Sequence, residues 1–297
     1  AELIASDRGK ASLHKYYGEN LSVTTITEKP KISLGSRTLQ FVATPMLHWP
    51  DSMVTYVPEE RLLLSNDAFG QHLASSKRFD DEVDHAILMQ EAAKYYANIV
   101  MPLWKVVLRA LDALGGLKIG TIAPSHGVIW RSNPGEIVES YKRWAEGVST
   151  EKVVIVYDTM WGSTDKVARA LEEGIAGEGI RVQVHKLSET HNSDVIADIL
   201  DARAILVGGP TLNTTIFPTV AFFLAYLKGL KPRNKIGAAF GSYGWGGGAK
   251  KATEVELRAA GVELVENDLD FVYRPSEDEL LKAVQFGTEI AKKIKGT

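Results

Sequence analysis

At 297 residues the chain has room for two domains of about 150 residues each, and 45% hydrophobic with 24% charged residues is the balance of a soluble globular protein. A formal charge of −3 argues against a nucleic-acid binder that works by neutralising phosphates. The absence of Cys excludes disulfides, thiolate zinc sites, cysteine-ligated iron–sulfur clusters and a built-in rubredoxin, so any metal sits on His, Asp or Glu.

In chain order, Leu3-Ile4-Ala5 reads as a strand already under way, and a first residue Ala1 rather than Met suggests further residues upstream. Residues 1–149 read as mixed α/β with hairpins. Strands are predicted at 38–43, 53–57 and 61–64, the last two joined by a turn at 58–60. A long helical stretch covers 81–114, with Pro102 breaking or kinking it. A short strand at 121–123 leads into the loop 124–127, and a helix over 134–144 starts with Asn133 as cap and Pro134 in its first turn. Residues 147–151 read as the linker to a second domain, 150–297. From Lys152 the pattern changes to strict β-α alternation. Strands are predicted at 153–157, 182–185, 204–208, 236–240 and 262–265, with helices between them and a closing helix at 277–293. Five such strands argue for a parallel doubly wound sheet, which binds ligands beyond the C-terminal strand ends where the strand order switches. The longest apolar run, 220–227, is far short of the roughly 18 residues of a membrane span. No basic-then-apolar leader opens the chain, and a cytoplasmic location is expected.

Chemistry concentrates in loops at strand ends. In the stretch 152–168 a buried strand meets a hydroxyl-rich loop and then a helix, the geometry of a phosphate cradle. Helix N-terminal N–H groups would act with the hydroxyls of Thr159, Ser163 and Thr164. No Lys or Arg lies inside the loop, so neutral donors would hold the phosphate. The alternative is an ordinary βα turn with Ser163 or Thr164 as the helix cap. The two other loops carry Pro210, Thr211, Leu212, Asn213 and Thr214, and Ser242, Tyr243, Gly244, Trp245, Gly246, Gly247 and Gly248. Trp161, Tyr243 and Trp245 would cover a planar ring, the glycines would let backbone N–H groups approach its polar edge, and Thr211 and Asn213 offer hydrogen bonds. With Met160 and Gly162 in the first loop, the three segments resemble flavodoxin, which implies an FMN-binding half.

The first half presents His48, Asp67 and His126, each just past a predicted strand. Imidazole and carboxylate donors suit iron, zinc or manganese, and a carboxylate can bridge two ions.

The motifs MLHWPDS, SNDAFGQH, YYANI and PSHG, followed by TMWGST and FGSYGWGGG, together resemble the flavodiiron proteins over essentially the whole chain. That resemblance implies a metallo-β-lactamase-like αββα half, here in part, joined to a flavodoxin-like half with a five-stranded parallel sheet. It implies two iron ions with His48 and His126 as terminal ligands and Asp67 as the bridge. His72, Tyr95 and Tyr96 become candidates for the substrate pocket, His72 and Tyr96 as catalytic residues, and Asp51 or Asp80 for orienting a histidine. The family's H-x-E-x-D-H motif does not occur in the sequence, whose opening residues look like the segment just after that motif. The implied activity is reduction of O2 to water, of NO to N2O, or of both, in a head-to-tail homodimer or dimer of dimers. Rubredoxin, a reduced deazaflavin or a reductase would be the donor, and no membrane or nucleic acid is involved. Two other readings stay open: a metal-free electron-transfer flavoprotein, and a metallohydrolase with a regulatory flavin domain.

Overall fold

Leu3–Ala5 (β1) is a strand, as its apolar run predicts, and it pairs in parallel with Val23–Thr25 (β2). Between them runs Asp7–Tyr17 (α1), a helix that the hydrophobic pattern does not announce because only Gly9 of it is buried. Its signal is at the start, where the Ser6 hydroxyl accepts from the Gly9 N–H at 3.0 Å. A five-stranded sheet comes next, built from Lys31–Ser33 (β3), Thr38–Ala43 (β4), Met53–Val57 (β5), Leu62–Asn66 (β6) and Thr121–Pro124 (β7). β3 to β6 form an antiparallel meander and β7 lies parallel to β6. β4, β6 and β7 therefore all point the same way, and their C-terminal ends share one edge of the sheet.

The helical stretch at 81–114 is not one helix. A short turn at Asp80–Glu82 precedes His85–Tyr95 (α2), a π-helical turn spans Tyr96–Val100, Pro102 sits in a 3₁₀ turn at Met101–Leu103, and Trp104–Leu114 (α3) comes after it. Pro102 lacks the N–H that would continue the ladder, and the wide turn before it absorbs the mismatch. α3 packs on Pro134–Glu146 (α4).

The computed structural model describes residues 2–295, and the chain divides after Glu146 into the units Ala1–Glu146 and Gly147–Thr297. The expected linker at 147–151 is already part of the second unit. The Gly147 carbonyl accepts from Asn234 Nδ2 at 3.0 Å, and Thr150–Tyr157 (β8) has begun.

From there the elements alternate: Ser163–Gly177 (α5), Arg181–Lys186 (β9), Asn192–Asp201 (α6), Ala202–Pro210 (β10), Pro218–Leu230 (α7), Ile236–Tyr243 (β11), Ala249–Ala259 (α8), Glu263–Leu264 (β12), Asp270–Val272 (β13) and Glu277–Ile294 (α9). All the strands are parallel, in the order β12-β11-β10-β8-β9, with β13 also beside β11. The apolar run Val153–Tyr157 is buried throughout, as a central parallel strand requires. The fifth strand, expected at 262–265, is split. β12 pairs with the start of β11 and β13 with its end. In the gap the Asn267 side chain bridges the ladder, donating to the Ala239 carbonyl at 3.1 Å and accepting from the Leu269 N–H at 2.9 Å. Among the described residues no helix is long and apolar enough to cross a membrane.

Candidate functional site

Strand order reverses between β8 and β10, and the loops leaving β8, β10 and β11 enclose a cavity of about 730 Å³. Its walls are 159–163, 210–214 and 242–246, joined by Lys166, Tyr273 and Arg274. The first loop is anchored from below by Asp158, which is only 2% exposed. One of its oxygens accepts from the Thr159 N–H at 2.9 Å and from Ser188 Oγ at 3.1 Å, and the other accepts from Thr219 Oγ1 at 2.6 Å. The loop closes on itself where the Gly162 N–H donates to Thr159 Oγ1 at 3.0 Å.

α5 is not capped by Ser163 or Thr164. Its cap residue is Gly162, left-handed at φ 84°, which has no side chain to accept from the helix-start N–H groups. That leaves the helix-start N–H groups available to an anion. Thr164 is fully buried, and its hydroxyl pairs with that of Ser242 at 3.1 Å. It ties the first loop to the fourth strand instead of lining the cavity. Gly247 also lies outside the lining, where a Cβ would stand 3.5 Å from both the Asp270 carboxylate and the Tyr243 ring.

The second wall turns through Asn213 and Thr214, both at positive φ, with Leu212 and Thr215 exchanging backbone bonds at 3.1 and 3.0 Å. Thr211 is partly committed to structure, since its hydroxyl accepts from the Ala249 N–H at 3.2 Å. The third wall presses on the second. A Cβ on Gly248, at φ 140°, would stand 2.5 Å from the Thr214 carbonyl, so only glycine lets the two loops meet.

Trp161 and Trp245 are 91% and 96% exposed at the cavity mouth. Two bare indoles beside one cavity, with uncapped helix-start donors below, fit a planar ring with a phosphate tail, and the volume is in the usual ligand range of about 300–1,000 Å³. Behind the glycine-rich loop lies Asp270. Burial pushes its carboxyl up to about 6, against a weaker opposing pull from Lys250, and Glu254 raises it further. Its Oδ1 is buried with no hydrogen-bond partner among the described residues.

The first unit gathers its candidates as the shared sheet edge dictates. Asp67 lies just past β6, with His48 beyond β4 and His126 beyond β7. His48 Nε2 is 3.4 Å from one Asp67 oxygen and His126 Nε2 is 3.1 Å from the other. Among the described residues no group of three or more His, Asp or Glu gathers around one metal position. The arrangement is one carboxylate with an imidazole at each oxygen. It fits a bridge between two ions with one terminal imidazole apiece, and other donors would have to complete each ion.

His72 meets the His126 ring edge-on at 5.4 Å and the Tyr95 ring at 4.9 Å. Tyr95, not Tyr96, reaches this cluster. Its ring is 6.0 Å from that of His126 and its hydroxyl is buried without a hydrogen-bond partner among the described residues. Burial, helped by the charge of Asp67, raises its phenol well above the ordinary value. Tyr96 packs instead on Tyr141 and Trp144 at 5.0 and 5.1 Å. Asp80 orients no histidine, because its oxygens accept from the backbone and hydroxyl of Ser132 and from the Arg131 N–H. Asp51 enters through its backbone carbonyl, which accepts from Ser6 Oγ at 2.8 Å.

Sequence motifs do not single out Gln71, Lys166, Tyr273 or Arg274. Gln71 is fully buried and clamps the backbone of Val128, accepting from its N–H at 2.8 Å and donating to its carbonyl at 3.1 Å. It thereby holds the His72 and His126 segments together. A loop glutamine carries no local signal for that role. Asp158, an acid directly after a buried strand, does.

Comparison with known proteins agrees with both halves. A flavodoxin family model matches residues 155–287 and an ODP family beta lactamase model matches residues 1–127. A nitric oxide reductase of Moorella thermoacetica is 51% identical over 99% of this chain and 75% of its own length. The solved rubredoxin oxygen:oxidoreductase of Desulfovibrio gigas is 38% identical, with a TM-score of 0.94 over 99% of this chain and 75% of that one. The flavodiiron protein of Giardia intestinalis is 32% identical, with a TM-score of 0.92 over 98% of this chain and 72% of that one. A cavity that fits a planar ring with a phosphate tail, an aspartate set between two histidines and relatives of this closeness identify the chain as a member of the flavodiiron protein family, whose cofactors are FMN and a di-iron centre.

Proposed function

We propose that the protein is an oxidoreductase that reduces O2 to water, NO to N2O, or both. The observation that carries this reading is the pairing, within one chain, of the flavin cavity with Asp67 set between His48 and His126. When bound, FMN and the iron pair each supply two electrons, the four that O2 needs, and two suffice for a pair of NO molecules. The residues of the chain do the holding. The α5 start and the hydroxyls of Thr159 and Ser163 receive the phosphate, while Trp161, Tyr243 and Trp245 cover the ring and limit water. Asp67, His48 and His126 would hold the metal pair, with His72 and Tyr95 beside them. Electrons enter from a donor such as a rubredoxin, a reduced deazaflavin or a reductase. With this reading goes assembly as a head-to-tail homodimer or a dimer of dimers, in the cytoplasm.

The test is to count iron and flavin in the purified protein and to follow gas uptake after reduction. Two irons per FMN, with consumption of O2 or NO, is the expected result. A second reading draws support from the two-donor neighbourhoods around Asp67: an electron-transfer flavoprotein without metal. Yellow protein free of iron and inert toward both gases would favour it.

A further inference from the structure

Among the residues lining the flavin cavity two carry charge, Lys166 and Arg274, and both are cations; no carboxylate lines it. Other cations of this unit are engaged with acids, as in Lys186 with Glu189, Lys228 with Glu256 and Lys250 with Glu254, each at 2.6 Å. Neither Lys166 nor Arg274 makes an ion pair or side-chain hydrogen bond with another described residue. A concave wall bearing charge of one sign raises the local concentration of the opposite sign. The cavity is therefore prepared for an anionic ligand at two places.

The two cations stand on different walls. Lys166 is in the first turn of α5, its N–H bonded to the Gly162 carbonyl at 3.2 Å. Helical side chains lean back toward the N-terminus, so its ammonium serves the phosphate end. The neutral-donor cradle expected from the loop residues thus gains a cation from the helix. Arg274 lies just past β13. Its neighbour Tyr273 donates its N–H to the Tyr243 carbonyl at 2.7 Å, and the Tyr273 ring lies 3.7 Å from where a Cβ on Gly244 would stand. Arg274 is thus fastened to the glycine–aromatic loop that covers the ring.

We propose that Arg274 sets the reduction potential of the bound flavin by holding positive charge beside its ring system, while Lys166 serves the phosphate. This rests on FMN occupying the cavity. Uptake of two electrons and one proton turns the neutral oxidised ring into an anion, the electrons coming from the external donor. A fixed cation stabilises that anion and leaves the neutral ring unaffected. Arg274 is exposed, so solvent screens it, and the reduced flavin is held about five- to tenfold more tightly than it would be without it.

The experiment is a redox titration of FMN in the full chain, with mediators and dithionite, alongside dissociation constants for FMN and for riboflavin. Arg274→Gln should lower the two-electron midpoint by about 20–30 mV, which is that fold-change at 29.6 mV per decade, with oxidised FMN bound as in the parent. Arg274→Lys should keep the parent potential. Lys166→Gln should weaken FMN but not riboflavin, and leave the potential in place. An Arg274→Gln midpoint equal to the parent's overturns the proposal, as does an Arg274→Lys midpoint that falls equally. Should Arg274→Gln lose its flavin, the parent's midpoint must fall as ionic strength rises from about 0.01 to 1 M, and a flat response overturns the proposal. A parent chain that takes up no FMN refutes the reading of the cavity itself, a different failure.

Discussion

Asp270 opens β13 behind the glycine-rich loop with one carboxylate oxygen buried and bonded to nothing among the described residues. Burial raises its carboxyl to about 6 from the ordinary 3.8, so the native state keeps a proton that the unfolded chain releases near pH 4. Stability therefore falls as pH rises from about 4 to 6, and the cost is constant above that. A rise of that size corresponds to about 3 kcal/mol at most, and solvent at a half-buried group reduces this to about 1–2 kcal/mol. Asp270→Asn should accordingly stabilise the flavin-free protein by that amount at pH 7 and by nothing at pH 4. Urea unfolding at the two pH values decides it, and an equal gain at both refutes a charge effect. At this scale the sequence was legible where a side chain sits at a strand end. Asp67, His48 and His126 declare themselves that way, since three strands ending on one sheet edge bring their next residues together. It was not legible where a helix or a later strand reaches back into the site, as with Lys166, Tyr273 and Arg274. Nor does local pattern distinguish Tyr95 from Tyr96, because a π-helical turn at that point decides which of two adjacent rings faces His126.

At the scale of elements, α5 and α9 touch through glycine. A Cβ on Gly174 would stand 2.0 Å from the Val284 carbonyl, and one on Gly287 would stand 2.5 Å from the Leu171 carbonyl. These are backbone atoms, so no rotamer change relieves the clash. Gly174→Ala gains about 1 kcal/mol of helix propensity and loses about 3 kcal/mol to overpacking. The net prediction is a loss of about 2 kcal/mol, seen as a lower urea midpoint with the slope unchanged. A stabilised variant would mean that the two helices separate freely. The periodic elements of the chain were plain in the sequence where a strand is a short apolar run, as in β8, β10 and β11, or a helix carries an apolar stripe. The exceptions have identifiable causes. α1 is polar on nearly every face. The fifth strand is interrupted by a side-chain amide standing in for backbone pairing, which no hydrophobic pattern encodes. The 81–114 stretch keeps helical periodicity across a wide turn and a proline, so the pattern persists where the ladder does not.

At the scale of the molecule, each unit carries its own core and its own site. The flavin half buries Val153, Ile155, Leu206, Ala238, Phe240 and Ile290 within itself, and the first half does the same with Leu63, Leu88, Ile122, Trp130 and Ile137. All the cavity walls come from 159–274 and all the candidate metal ligands from 48–126. Among the described residues no side chain therefore serves both sites, and damage to one should leave the other chemically intact. Asp67 is the sharpest place to test this. Replacing it by Ala removes the carboxylate that approaches both His48 and His126, so a metal pair loses its bridge and two like charges lose the anion between them. Asp67→Ala should then hold fewer than two irons and lose gas reduction by at least about a hundredfold, the upper end of what losing only a ligand's orienting partner costs. Its FMN content, flavin spectrum and flavin midpoint should match the parent's. The readouts are metal analysis, O2 or NO uptake by the reduced protein, and the same redox titration. Loss of flavin on removing Asp67 would mean that the two halves are one cooperative structure, and their separate sites could no longer be treated as independent.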